Sequence, residues 1–200
     1  PKTRRFIRLK FVESRAKTNL ETSSHKLKRS GWPIESTNSC RQTPRRWLKA
    51  VGFGAKDGEL VLVPNGEGGI GCVVLGLGPG RDPHALALCT ERLPAGLYVL
   101  GDVPEAFGGA RAAYGWAIGT YTFDRYRSRR KSRTDGPRLV LPDTVDGEAV
   151  SRIAEGVFLA RDLINTPSND MGPAELEQAA RSLAGSFGAS VKVTEGEALL

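Results

Sequence analysis

Apolar positions are sparse up to about residue 58 and fall into short dense runs after it. ELVLVP (59–64) and GCVVLGLG (71–78) are aliphatic, β-branched runs joined by NGEGG, whose Asn-Gly pair signals a turn between two strands. DPHALALCTERL (82–93) has an Asp-Pro start and apolar residues at 85, 86 and 89, which predicts a short helix. LYVLG (97–101) predicts a strand. EAFGGARAAYGWAIGTYTF (105–123) places Phe107, Ala110, Ala113, Tyr114, Ala117, Ile118 and Tyr121 on one helical face. PRLVLP (137–142) predicts another buried strand. This alternation is that of a layered α/β domain with a mixed sheet.

A second block follows. Asp146 and Glu148 open a helix where negative charge favours the N-terminus, and Val150, Ile153, Ala154, Val157, Ala160 and Ile164 form its core-facing stripe. Pro167 disfavours helical geometry at Thr166, so the helix ends near Asn165, whose side chain suits orphaned carbonyls. Pro173 then stands at a first helical position, with Glu175 and Glu177 behind it. Leu176, Ala179, Ala180 and Leu183 continue as a buried face. SVKVT (190–194) alternates as a strand, and EGEALL begins a further element. Helix, two-proline connector, helix and strand read as a domain junction. The elements after such a junction are expected to be the first helices and strand of a second α/β domain, truncated here.

Charge changes the picture only at the front. Residues 1–46 hold 13 Lys+Arg against 3 Asp+Glu, while 47–200 hold 16 against 19, so the overall +7 comes from the N-terminal quarter. That quarter has one short apolar cluster, Phe6 to Val12, too little to offset the cost of ordering its backbone. Residues 1–44 therefore read as a basic extension, either disordered or foreign to the gene product. A nucleic-acid-binding arm is the sharper alternative, although aromatics do not interleave with its cations. The only Met is Met171, so both ends look like cuts.

Candidate chemistry is thin. Cys40, Cys72 and Cys89 form no CxxC pair, and His25 and His84 stand isolated, which argues against a zinc finger or a disulfide framework and favours a reducing cytosol. No apolar run approaches the ~20 residues that span a membrane. GLGPGRDP (76–83) invites a phosphate-loop reading, but Arg81 stands where the third glycine of G-x-G-x-x-G belongs. Asp102 is a poor ribose ligand, and turn chemistry explains Gly76, Gly78 and Gly80. RYRSRRKSR (125–133) carries six cations after a helix and reads as a solvated loop, with a phosphate or subunit contact as its alternative. Asn165, Asn169 and Asp170 suit the bonding of backbone at a corner. Without a His, Cys or Lys beside them they make no catalytic set.

ARDLINTPSNDMGPAELEQAA (160–180) resembles the start of the catalytic domain in the leucyl aminopeptidase family of cytosolic metallopeptidases. Arg161, Leu163, Asn165, Pro167, Asn169, Met171, Pro173 and Leu176 carry the resemblance. RRWLKAVGF (45–53), LPAGLY (93–98), YGWAIGTYTFDRY (114–126) and PRLVLP resemble the N-terminal domain of bacterial members. The resemblance implies an N-terminal α/β domain at 45–142, with a linker helix and the start of a catalytic domain at 143–200. It also implies a cytoplasmic, hexameric exopeptidase that removes N-terminal residues, often leucine, from peptides. Two divalent metals, zinc or manganese, held by Lys, Asp and Glu would activate a bridging water.

The family's G-K-G-x-x-F-D-x-G-G and N-x-D-A-E-G-R stretches occur nowhere in this chain. No catalytic, cofactor-binding or metal residue is therefore carried over, and the polypeptide by itself is expected to be inactive. Residues 1–44 do not resemble the family's own beginning, so the sheet is expected to lack a strand. Helices in 143–200 are expected to expose an apolar side. A non-enzymatic nucleic-acid binder using the basic arm, and a nucleotide-binding module using GLGPG, remain the competing functions.

Overall fold

The computed structural model describes residues 6–12, 43–80, 82–105, 107–128 and 136–199. Five strands form one mixed sheet in the order β2-β3-β1-β4-β5. They are β1 (Phe6–Val12), β2 (Leu60–Pro64), β3 (Ile70–Gly76), β4 (Gly96–Leu100) and β5 (Pro137–Val140). The first four pair antiparallel, and β5 lies parallel to β4. The helices are α1 (Thr43–Ala50), α2 (Ala87–Arg92), α3 (Gly109–Gly119), α4 (Gly147–Asn165) and α5 (Pro173–Ser186).

The central strand overturns an expectation. Phe6–Val12 lies between β3 and β4, with Ile7 opposite Leu75 and Leu9 opposite both Val73 and Leu100. This part of the supposed extension is fold, the middle strand of the five. Ile7 and Leu9 are fully buried, while Arg8 and Lys10 alternate with them onto the other face. Period-2 burial needs only every second residue to be apolar, so the interleaved cations disguised a strand as a charged tail. Arg8 forms an ion pair with Asp102 and donates its backbone N–H to the Asp102 carbonyl at 2.9 Å. Asp102 therefore serves β1 rather than a ribose. Residues 1–5 and 13–42 of the basic stretch lie outside the described residues.

One face of the sheet carries the main core. Ile7, Leu9, Val73, Leu75 and Tyr98 pack against Leu86 and Cys89 near and on α2, and Ala112 and Trp116 of α3. Tyr98 is wholly buried; its hydroxyl donates to the Pro94 carbonyl at 2.9 Å, and its ring meets Phe11 and Trp116. Burial pushes the Cys89 thiol up to about 12. On the opposite face Val63, Cys72 and Val74 pack with Phe6, Leu48, Phe53 and Val61 beneath α1, a helix absent from the sequence expectations.

The hairpin β2–β3 forms as expected. Asn65 braces its turn, the side-chain oxygen accepting from the N–H groups of Glu67 (3.0 Å) and Gly69 (2.7 Å). Helix α2 is shorter than 82–93, because Asp82 accepts from the His84 N–H and holds the preceding residues in a turn. Helix α3 starts only at Gly109, after Gly108 at φ 79°. Its buried side is Ala112, Ala113, Gly115, Trp116 and Ile118, so the face is rotated from the expected one, and Ala110 is exposed. Gly119 lets α3 meet α2 closely, since a Cβ there would lie 2.6 Å from the Ala87 Cα.

The expectations for 143–200 divide. Helix α4 opens on Asp146, whose carboxylate accepts from the Ala149 N–H at 3.0 Å, and ends at Asn165. Of its apolar stripe, Val150 and Ala154 are buried, while Ile164 is 81% exposed. Helix α5 begins at Pro173, but it buries none of its residues, so the expected buried face at Leu176 and Leu183 is solvent-facing. Residues 190–194 form no strand: alternation alone makes no ladder without a partner strand. β5 is an edge with alternate residues exposed, not a buried strand. The exposed apolar side expected of this region is present.

Candidate functional site: the corner after helix α4

Pro167 gives the corner its shape. It holds Thr166 at φ −73°, ψ 124°, which stops α4. The orphaned carbonyl of Asp162 is met by Thr166, whose N–H lies at 3.0 Å and whose hydroxyl lies at 2.7 Å. Thr166, not Asn165, is thus the residue that closes the helix. Asp170 donates its N–H back to the Pro167 carbonyl at 2.9 Å, and the Gly172 N–H meets the Glu175 carboxylate at 2.9 Å as α5 begins.

The segment leaving α3 clasps this corner at two points. At the first, the Tyr121 hydroxyl donates to Asp162 Oδ1 (2.8 Å) and accepts from Asn165 Nδ2 (3.0 Å). Its ring is flanked by Phe158, with centroids 5.5 Å apart, and by the Arg161 guanidinium at 5.3 Å. Arg161 also donates to the Ile118 carbonyl at 3.2 Å, at the end of α3 where a cation is favoured. At the second point, the Tyr126 hydroxyl donates to Asp170 Oδ2 at 2.6 Å. Arg125 lies over the Tyr126 ring and donates to the Thr166 hydroxyl at 3.3 Å.

Both phenols are held above their ordinary value. For Tyr121 burial is the main cause, with the Asp162 carboxylate adding to it and Asn165 opposing it. For Tyr126 the hydrogen bond to Asp170 leads, with Arg125 opposing. Each tyrosine therefore stays a neutral donor to a carboxylate at neutral pH.

Arg161 and Asn165 are thus brought together around Tyr121, Asp170 is held apart from them by Tyr126, Pro167 shapes the backbone and Asn169 stays exposed. Tyr121, Tyr126 and Asp162 are partners that sequence reasoning missed. The signal for the two tyrosines was the quoted stretch YGWAIGTYTFDRY, in which Tyr121 and Tyr126 sit in a polar setting just beyond an apolar helix. Within RYRSRRKSR, residues 125–128 are exposed loop as expected, with Arg125 and Tyr126 also bonded to the corner, and residues 129–133 lie outside the described residues.

The GLGPG stretch is a turn. Gly78 (φ 50°) donates its N–H to the Ala55 carbonyl at 3.0 Å, and a Cβ on Gly76 would lie 2.2 Å from the Lys56 carbonyl oxygen. The glycines let this turn lie against residues 55–57. Among the described residues, no group of three or more His, Cys, Asp or Glu is placed to hold a metal ion. None of the described helices is long and apolar enough to cross a membrane.

A mixed-sheet domain thus leads into α4, and an asparagine-and-proline corner separates α4 from α5. Residues 32–142 match the family model described as the M17 aminopeptidase, N-terminal domain. The chain belongs to the M17 aminopeptidase family. It is 32% identical over 160 residues to the probable cytosol aminopeptidase of Leifsonia xyli subsp. xyli, covering 73% of this chain and 32% of that protein.

Among solved structures it resembles the cytosol aminopeptidase of Coxiella burnetii, with a TM-score of 0.67 and 30% identity over 82% of this chain and 35% of that one. The bottromycin maturation enzyme BotP in complex with Mn is similar at a TM-score of 0.56 and 26% identity, over 76% of this chain and 36% of that one. The chain thus spans about a third of the length of these relatives.

Proposed function

We propose that this chain is the N-terminal part of a leucyl-aminopeptidase-like metallo-exopeptidase, which removes N-terminal residues, often leucine, from peptides. The observation that carries the reading is the match of residues 32–142 to the M17 N-terminal domain, continued into the corner motif at Arg161 and Asn165. In this reading 45–142, together with β1, is the accessory domain, and 143–200 is the linker helix and the start of the catalytic one. The assembled enzyme is a cytoplasmic homo-hexamer. Two divalent ions, manganese or zinc, would supply the activated water; a relative of this fold was solved with Mn. The described residues here do not fit such ions, because no carboxylate, thiol or imidazole group is gathered for them. No step of catalysis is therefore assigned to this chain. What its own residues do is dock α4 on the end of α3 through Tyr121, Asp162 and Asn165.

The test compares leucine release from a leucyl anilide by residues 1–200 and by the gene's full reading frame, each with added Mn or Zn. Activity confined to the longer product is expected. Metal-dependent turnover by residues 1–200 alone overturns the reading, and so does an inactive full-length product. Of the basic arm on which the alternative nucleic-acid-binding reading rests, Phe6–Val12 is built into the sheet, and residues 1–5 and 13–42 lie outside the described residues.

A further inference from the structure

Strand β1 stands in the middle of the sheet, yet no short turn ties it to either neighbour. It pairs with β3 on one side and β4 on the other, while residues 13–42 separate it from α1. The other strands hold together without it. A hairpin joins β2 to β3, a parallel ladder joins β4 to β5, and both pairs pack on α2 and α3. The place of β1 is therefore a slot walled by β3 and β4 and floored by that helical layer.

The slot is shaped for one segment. Ile7 and Leu9 are fully buried in its floor. Phe11 seats over Gly96, where a Cβ would collide with its ring. At Gly101 a Cβ would lie 2.8 Å from the Arg8 carbonyl oxygen, which accepts from the Gly101 N–H at 2.8 Å. Asp102 binds Arg8 through both its carboxylate and its backbone carbonyl. Main-chain bonds supply affinity and these seats supply register, as in the addition of a strand to an open sheet.

We propose that this slot is a strand-exchange site, into which β1 of a second copy of the chain inserts in place of the chain's own. Every copy carries the segment that fits, so the exchanged contacts are those already present and no new interface is needed. An extended chain advances about 3.3–3.6 Å per residue, so a connection as long as 13–42 is long enough to reach a neighbouring copy. Insertion of the chain's own strand is independent of concentration and that of a second copy is not, so exchange grows with protein concentration. The contacts are internal to the sheet domain, and the inference does not rest on the peptidase reading.

The test uses the 200-residue protein in a Cys40→Ser background. One copy carries Val12→Cys and another Leu97→Cys, positions opposite each other in the β1–β4 register. One of the two is isotope-labelled, so that mass identifies the mixed dimer. They are unfolded together, refolded at increasing concentration and oxidised only afterwards, when Cys72 and Cys89 are buried. A disulfide joining the two copies is expected, its yield rising with concentration and exceeding severalfold that obtained when Glu67→Cys replaces Leu97→Cys. Adding Leu9→Asp to the Val12→Cys copy should abolish the link, because its strand no longer fits. Adding Leu9→Asp to the Leu97→Cys copy instead should raise the yield about twofold, because a slot shared between two strands is left with one. No mixed disulfide above the Glu67→Cys level overturns the proposal, as does a yield indifferent to which copy carries Leu9→Asp. A fall in both arrangements overturns it too, since the slot would then collapse without its own strand.

Discussion

The Tyr121 hydroxyl donates to the Asp162 carboxylate at 2.8 Å, joining residues 41 positions apart across the contact between α3 and α4. Asn165 donates to the same hydroxyl. The phenol thus uses both its donor and an acceptor site, and the ring adds contact with Phe158 and Arg161.

Removing the hydroxyl alone, in Tyr121→Phe, should lower stability by about 1 kcal/mol, because Asp162 and Asn165 can turn to water instead. Tyr121→Ala should cost roughly 2–3 kcal/mol, since ring burial goes as well. Urea unfolding of the three proteins checks the order. Equal midpoints for parent and Tyr121→Ala would show that the docking of α4 does not depend on this ring.

Two helical glycines should answer substitution by alanine with opposite signs. At Gly119 a Cβ would lie 2.6 Å from the Ala87 Cα, so Gly119→Ala must push α3 off α2 at a cost of about 2–3 kcal/mol. At Gly156, exposed on α4, nothing lies within 4 Å of a built Cβ. There, Gly156→Ala should stabilise by about 0.5–1 kcal/mol through reduced freedom of the unfolded chain. Thermal melts read both, and a shift of the same sign at the two sites would contradict the close approach at Gly119.

Acid should weaken the loop before β2 through Glu59. Its carboxylate accepts from the Gly54 N–H at 3.0 Å and the Lys56 N–H at 2.9 Å, and these bonds hold its pKa below the ordinary 4.5. A lowered folded pKa means that the contribution is fully present above the unfolded value and is lost as pH falls through the folded one. Stability curves of the parent and Glu59→Gln should therefore stand apart at neutral pH and converge as pH drops below 4.5. A gap that is constant with pH would show that ionisation of Glu59 contributes nothing.

Local chemistry made much of the architecture readable. Pro167 and Pro173 placed the end of α4 and the start of α5, because a proline's constraints act on its immediate neighbours. NGEGG likewise placed the β2–β3 turn, which Asn65 stabilises from within its own loop. The corner motif was visible as spaced Arg, Asn and Pro positions, but its purpose was not. Tyr121 and Tyr126 reach it from 41 and 44 residues away, and nothing local to Asp162 or Asp170 announces a phenol.

The amino-acid sequence by itself determined where helices stop, where the hairpin turns and which family the chain resembles, because those signals reside in neighbouring residues. Only the tertiary structure decided that Phe6–Val12 is the central strand and that 190–194 is no strand at all. A strand exists through the backbone of its neighbours. Ile7 and Leu9 found β3 and β4 on either side, whereas Val191 and Val193 found no partner strand among the described residues.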